Sequence, residues 1–223
     1  MTSNSAFEGV FFDLDGTLAD TAPDLVAAAN RLLRAKNKAE MPYESLRPMA
    51  SAGARGLIQK SFGIDKDHPE FILLRDEFLN YYEEALLVHS KLYDGMEELL
   101  QKLEDEKLPW GIVTNKQQRF TNPLTEQMGL LQRAHCVVSG DTTAFSKPHP
   151  EPILHAARLT KVDPKKALYV GDDIRDIVSG KAAGMQTAAA LYGYCGCEEP
   201  PHQWGADYQI QYPGELLHIV FPK

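Results

Sequence analysis

The chain has 223 residues, a formal net charge of −8, 43% hydrophobic and 24% charged residues, the balance of a soluble globular protein of one large domain or one domain carrying an insertion. Lys and Arg are scattered without a basic run, which argues against nucleic acid or an anionic membrane as partner and makes any anionic substrate depend on local cations or a metal. Residues 1–7 lack a cationic start and no apolar run is long enough to span a bilayer, so neither a secretory signal nor a membrane helix is expected, and the expected compartment is the cytoplasm.

The first apolar run, Val10-Phe11-Phe12, ends in two carboxylates one residue apart, Asp13 and Asp15, followed by Gly16 and Thr17. A short apolar run closed by a turn signal reads as a buried strand of a parallel sheet. The pattern then becomes helical, with Thr21 as N-cap, Asp24 three residues on, and Leu25, Ala28, Ala29, Leu32 and Leu33 at helical spacing. Residues 53–62 read as a second helix stopped by Gly63, and a third is expected from Asp67, with Pro69 and Glu70 in its first turn. From about Asp20 to His89 the chain therefore reads as a separate helical unit without a strand.

After Tyr93-Asp94-Gly95, helix and strand alternate. Met96, Leu99, Leu100 and Leu103 mark a helix that Pro109 cannot continue, and residues 110–115 follow as a strand with a polar end. Residues 120–128 read as helix, 136–139 as strand, 151–160 as helix, 167–170 as a strand ending in Gly171-Asp172-Asp173, 177–183 as helix and 187–191 as strand. Residues 208–211 and 215–220 supply a last edge strand and helix. Such alternation predicts a parallel sheet with helices on both faces. No GxGxxG or GxxxxGK[ST] follows any strand, so no dinucleotide fingerprint or P-loop is present. Cys136 lies in an apolar run and reads as core, while Cys195-Gly196-Cys197 is too tightly spaced for a common zinc pair; all three read as reduced thiols.

Parallel strands bring their carboxyl ends to one edge of the sheet, where ligands bind. That edge collects Asp13 and Asp15, then Thr114 and Asn115, then Lys147, then Asp172, Asp173 and Asp176. Side chains two apart in an extended segment point the same way, so Asp13 and Asp15 would repel each other, and a divalent cation is the simplest relief. Taken singly, each residue has an ordinary alternative: the acidic pair as a solvated turn, Thr114 as turn chemistry, one of Asp172 and Asp173 as an N-cap, Lys147 as a surface lysine. Together, carboxylates from two strands with a hydroxyl, an amide and an ammonium suit Mg2+ and the oxygens of a phosphoryl group.

The four ordered motifs, Asp13-Leu14-Asp15-Gly16-Thr17, Thr114-Asn115, Lys147-Pro148 and Gly171-Asp172-Asp173 with Asp176, resemble those of the haloacid dehalogenase superfamily, in its Mg2+-dependent phosphatase branch. The resemblance covers nearly the whole chain. It implies an α/β fold: a Rossmann-like three-layer parallel-sheet core from residues 1–19 and 92–223, with an inserted helical cap domain from residues 20–91 hinged near Asp20 and Tyr93-Asp94-Gly95. It implies that Asp13 attacks phosphorus to form an aspartyl phosphate, and that Asp15 protonates the leaving alkoxide and then deprotonates the hydrolytic water. The Mg2+ cofactor is implied on an Asp13 oxygen, the Asp15 backbone carbonyl and Asp172, with Asp173 and Asp176 as direct or outer partners. Thr114 and Lys147 are implied to stabilise phosphoryl oxygens, with Asn115 beside them. Arg55, after a Gly-rich turn in the cap, is expected to reach the substrate, and Asn115, Lys116 and Arg119 are further substrate-binding candidates.

Shorter stretches narrow the resemblance: Ser51-Ala52-Gly53-Ala54-Arg55, Val88-His89-Ser90-Lys91-Leu92, Thr114-Asn115-Lys116 with Arg119-Phe120, Arg175-Asp176, Tyr192-Gly193-Tyr194, and Trp204-Gly205-Ala206-Asp207. They are similar to enzymes of the phosphoglycolate phosphatase type, and most to the N-acetylmuramic acid 6-phosphate phosphatases of bacterial cell-wall recycling. Many phosphoglycolate phosphatases carry Ser where Asp173 stands. The expected function is hydrolysis of a small phosphorylated metabolite by a monomer or homodimer. Phosphoglycolate hydrolysis and a sugar phosphomutase are the alternatives on the same fold, and a phospho-accepting signalling domain is a remote one.

Overall fold

The computed structural model describes residues 5–196 and 199–222, so Cys197 lies outside the described residues. Strand β1 (Gly9–Phe12) is buried at every residue, as a strand covered on both faces must be. The chain turns, forms β2 (Ala19–Asp20), and enters α1 (Ala22–Ala35), α2 (Tyr43–Leu46), α3 (Gly53–Phe62) and α4 (Phe71–Glu84), with a 3-10 stretch over Arg47–Ala52. It returns through β3 (Lys91–Leu92), antiparallel to β2. Then follow α5 (Met96–Asp105), β4 (Trp110–Val113), α6 (Gln118–Gln127), β5 (Cys136–Val138), α7 (Glu151–Thr160), β6 (Ala167–Gly171), α8 (Ile174–Ala182), β7 (Gln186–Ala190), β8 (Tyr208–Ile210) and α9 (Leu216–Val220).

The large sheet runs β5-β4-β1-β6-β7-β8, parallel at every pairing. The α/β architecture with a parallel sheet is the one expected from the alternating pattern. Phe12 stands beside Ile112 on one side and Val170 on the other, so β1, β4 and β6 end level with one another. The chain leaves β1 towards one flank and returns on the other, which makes this edge a switch point where a crevice opens.

The helices between β2 and β3 pack on the turn after β1: Leu14, Leu18, Leu25, Phe78, Tyr82 and Phe120 share one buried cluster. The Tyr82 and Phe120 rings lie 5.6 Å apart, each large aromatic contributing about 1.5–3 kcal/mol by burial. No helix among the described residues is long and apolar enough to cross a membrane.

Four expectations are corrected. β1 ends at Phe12 and a tight turn follows, with the Leu18 and Ala19 amides donating to Leu14 O, so strand alternation does not orient Asp13 and Asp15. Thr21 precedes α1 without capping it by its side chain; its hydroxyl donates to Asp15 instead. Asp24 is not part of a capping box: it is buried and accepts from the amides of Val88, His89 and Ser90, tying the two ends of the helical insertion together. Helix α4 starts at Phe71 rather than Asp67, because Asp65 holds the Asp67 amide in a turn and His68 O accepts from Phe71 N. The β2–β3 ribbon and the short α2 are too brief to leave a periodic signal.

Candidate active site

Asp13, Asp172 and Asp176 are buried, and their carboxylate oxygens lie within 4.8 Å of one another. Asp13 follows β1, Asp172 follows β6, and Asp176 is in the first turn of α8. An ammonium faces two of them. Lys147 Nζ lies 2.8 Å from Asp13 Oδ1 and 2.6 Å from Asp176 Oδ1. It donates to Asp176, to Val113 O at 2.8 Å and to Tyr169 Oη at 2.9 Å, and holds Asp13 Oδ1 as an ion pair. Burial alone would lower the Lys147 value; Asp13 and Asp176 outweigh it and hold the ammonium charged. Burial pushes the Asp172 carboxyl well above its ordinary value, with Asp13 and Asp176 adding repulsion, and burial lifts Asp176 to about 7 in spite of Lys147.

Two positions packed against Asp172 leave room for nothing larger than glycine. Thr17 Oγ1 donates to Asp172 Oδ1 at 3.0 Å and Tyr194 N to Oδ2 at 2.8 Å. A Cβ on Gly16, where φ is +87°, would fall 2.2 Å from Asp172 Oδ2, and one on Gly193 would fall 2.3 Å from Asp172 Cβ. Three buried carboxylates with oxygens within 4.8 Å of one another, two of them paired with Lys147, fit a hard divalent cation such as Mg2+, whose preferred donors are oxygens.

Asp15 turns to a different set of partners. Lys116 Nζ lies 2.8 Å from Asp15 Oδ1, which also accepts from Thr21 Oγ1. The Lys116 ammonium stands 4.8 Å from the centre of the Tyr82 ring, so the helical insertion supplies one wall of its pocket. Burial would lower Lys116, but Asp15 raises it further, and the ammonium stays charged. The two carboxylates after β1 are thus divided, Asp13 towards the acidic cluster and Asp15 towards a lysine.

A cavity of about 500 Å3 opens over this edge, within the range of small-molecule sites. Its floor holds Asp13, Asp15, Thr114, Lys147 and Asp172; its roof holds residues 50–54, Arg75, Phe78 and Tyr82 of the helical insertion. Thr114 is buried at the end of β4, its hydroxyl accepting from Lys116 N at 3.2 Å. Asn115 lines the cavity, but its amide is committed to the Lys147 backbone: Nδ2 donates to Lys147 O and Oδ1 accepts from Lys147 N, both at 2.9 Å. Its place in the structure is that of a clamp on the lysine loop. Arg119 sits at the mouth, its Nε 2.8 Å from Glu83 Oε1, and it also bonds Asn80, both on α4.

Two expected site residues are placed differently, Arg55 outside this cavity and Asp173 in its lining but apart from the carboxylate cluster. Arg55 lines a neighbouring cavity, because on α3 the residue after Ala54 is rotated by a quarter turn or more from the face that Ala54 presents to the site. Asp173 is outside the carboxylate cluster: it caps α8 by accepting from Arg175 N at 2.9 Å, and Arg175 Nε holds the same oxygen at 2.7 Å. Burial opposes ionisation of Asp173, but Arg175 outweighs it and keeps the carboxyl below its ordinary value. Residues not expected at the site are Tyr169, Tyr82, Arg75 and Arg175. A tyrosine inside the apolar run 167–170 was a usable signal, since a buried hydroxyl needs a partner.

Residues 10–190 match the model of the haloacid dehalogenase-like hydrolase family. The chain is 43% identical over 95% of both sequences to the N-acetylmuramic acid 6-phosphate phosphatase of Pseudomonas putida. It is 41% identical over 93% of both to the phosphoglycolate phosphatase of Xanthomonas campestris. Among solved structures, a predicted phosphoglycolate phosphatase from Haemophilus somnus superposes with a TM-score of 0.85 at 28% identity, covering 96% of this chain and 98% of that one. With its level strand ends, acidic cluster and facing lysine, the chain belongs to the haloacid dehalogenase-like hydrolase family.

Proposed function

We propose that this enzyme is a Mg2+-dependent phosphatase that hydrolyses N-acetylmuramic acid 6-phosphate through an aspartyl phosphate on Asp13, in cell-wall recycling in the cytoplasm. The observation that carries the reading is the division of labour between Asp13, set among buried carboxylates beside Lys147, and Asp15, held apart by Lys116 and Thr21. Asp13 forms a bond to phosphorus as the bond to the ester oxygen breaks. Asp15 takes up a proton in the substrate complex and delivers it to the departing alkoxide, and afterwards takes one from the water that attacks the acyl phosphate. Hydrolysis returns Asp13 as a carboxylate and releases inorganic phosphate.

A carboxylate approaching a phosphate dianion at about 4 Å, at an effective dielectric near 20, meets roughly 8 kcal/mol of repulsion. A cation held by Asp13, Asp172 and Asp176 would supply positive charge at that point. Lys147 adds a fixed charge, and Thr114 offers its hydroxyl to the phosphoryl oxygens. Residues 20–91 act as the cap, which excludes bulk water when it closes. The 41–43% identity to named phosphatases over nearly the full chain supports this substrate class. Phosphoglycolate is the second reading, supported by the 41% identical Xanthomonas relative.

The test is phosphate release from N-acetylmuramic acid 6-phosphate, phosphoglycolate and hexose phosphates, with Asp13→Asn as the inactive control. The highest kcat/KM is expected for the muramic acid ester. A clear preference for phosphoglycolate would move the assignment there, and Mg2+-dependent turnover by Asp13→Asn would remove the nucleophile.

A further inference from the structure

Arg175 lies between two members of the carboxylate cluster in sequence, yet its guanidinium points the other way. Nε donates to Asp173 Oδ1 at 2.7 Å, and Nη2 donates to Asp173 Oδ2 at 2.9 Å and to the carbonyl of Ser51 at 2.6 Å. Asp173 and Arg175 belong to the segment that carries Asp172 and Asp176, whereas Ser51 belongs to the roof of the cavity. Both side chains of the pair are largely covered, at 35% and 15% exposure for Arg175 and Asp173.

Helix capping does not explain this placement. The cap of α8 is complete with the Arg175 backbone amide on Asp173, so the guanidinium is not needed for it. A planar guanidinium can hold a carboxylate along one edge and still offer an N–H to a third group, which a lysine cannot do. On one side of the bridge is the catalytic cavity, and on the other a second cavity of about 510 Å3 that Arg55, Glu199 and Trp204 also line. Ser51, Ala52, Asp173 and Arg175 line both, so the bridge forms part of the wall between them. The Arg119–Glu83 contact at the far rim also joins cap to core, but at 46% and 45% exposure it is open to solvent screening.

We propose that Arg175, aimed by Asp173, is a positioning residue that pins the Ser51 edge of the cap to the segment bearing Asp172 and Asp176. It thereby closes the catalytic cavity on the side of the second one and confines a bulky leaving group over Asp13 and Asp15. The inference rests on the phosphatase reading above. It also accounts for the carboxylate of Asp173, since serine at that position would still cap the helix but could not hold the guanidinium along an edge.

The test compares wild type, Arg175→Ala, Arg175→Lys and Asp173→Ser by hydrogen exchange and by kinetics on two esters, N-acetylmuramic acid 6-phosphate and p-nitrophenyl phosphate. The expected result for Arg175→Ala and Asp173→Ser is faster exchange over residues 47–62, and a loss of about tenfold or more in kcat/KM for the sugar phosphate, against about twofold for the small aryl ester. Arg175→Lys is expected to restore less than half of the exchange protection. Unchanged exchange over 47–62 in Arg175→Ala would overturn the proposal. So would equal losses on both esters accompanied by faster exchange over 174–182, which would make Arg175 a residue of helix stability. If wild type leaves the sugar phosphate untouched, the substrate assignment fails, while the exchange measurement still decides the pin.

Discussion

Replacing Lys147 by methionine keeps a long side chain and removes the ammonium paired with two of the three buried carboxylates. At 2.8 Å from Asp13 and 2.6 Å from Asp176, each attraction is about 6 kcal/mol at an effective dielectric near 20, and desolvation of the buried charges cancels a large part of it. What remains when one partner of a buried pair is removed is about 3–5 kcal/mol. For a chain of this size that corresponds to a fall in Tm of roughly 6–20 °C. In turnover, a comparable loss of transition-state stabilisation amounts to about two to four decades.

The assay is paired: thermal melting of wild type and Lys147→Met in EDTA and in Mg2+, with phosphate release measured at saturating Mg2+. The melting difference should shrink in Mg2+, because a cation among Asp13, Asp172 and Asp176 compensates the same carboxylates. Activity of the variant should stay low at saturating Mg2+, since the cation does not replace a donor aimed from the lysine loop. Melting of the variant at the wild-type temperature in EDTA, or activity within tenfold of wild type, would refute the electrostatic reasoning.

The acidic cluster also makes a pH prediction. Asp172 and Asp176 have folded-state values above the ordinary carboxylate value, so the folded metal-free protein binds more protons than the unfolded chain, from about pH 4 up to about 7 for Asp176. Their contribution is full on the acid side and is lost as pH rises through that window. The Tm gained by adding Mg2+ should therefore widen between pH 5 and pH 8, and a constant gain would count against the cluster as the metal site. Asp15→Asn should lower turnover by about 10²–10⁴ for an alkyl phosphate. With p-nitrophenyl phosphate, whose leaving group needs no proton, it should still release a first burst of nitrophenol; absence of the burst would argue against Asp15 as the proton donor. Gly16→Ala forces a Cβ to 2.2 Å from Asp172 Oδ2 in a left-handed turn, and calorimetric Mg2+ titration should register a loss of about 10–100-fold in affinity.

The order of strands and helices after Gly95, and the collection of Asp13, Thr114, Lys147 and Asp172 on one edge, were legible from the sequence. Apolar runs buried on both faces leave little freedom in assignment, and parallel connection puts their carboxyl ends together whatever the loops do. Local signals reached their limit where a side chain answers to a partner far along the chain. Asp173 looks like a twin of Asp172, and only the placement of Arg175 and Ser51 turns it from the cluster. Asp24 looks like a capping residue, yet its partners are amides 64 to 66 positions away. Arg55 follows a glycine turn as a substrate arginine would, but the rotation of α3 faces it to a second cavity. Sequence alone determined which chemistry meets at the end of β1, because strand order and motif type suffice for that. Tertiary structure decided which oxygen faces which cation, because those choices depend on loop closure and on an insertion packed over the edge from elsewhere in the chain.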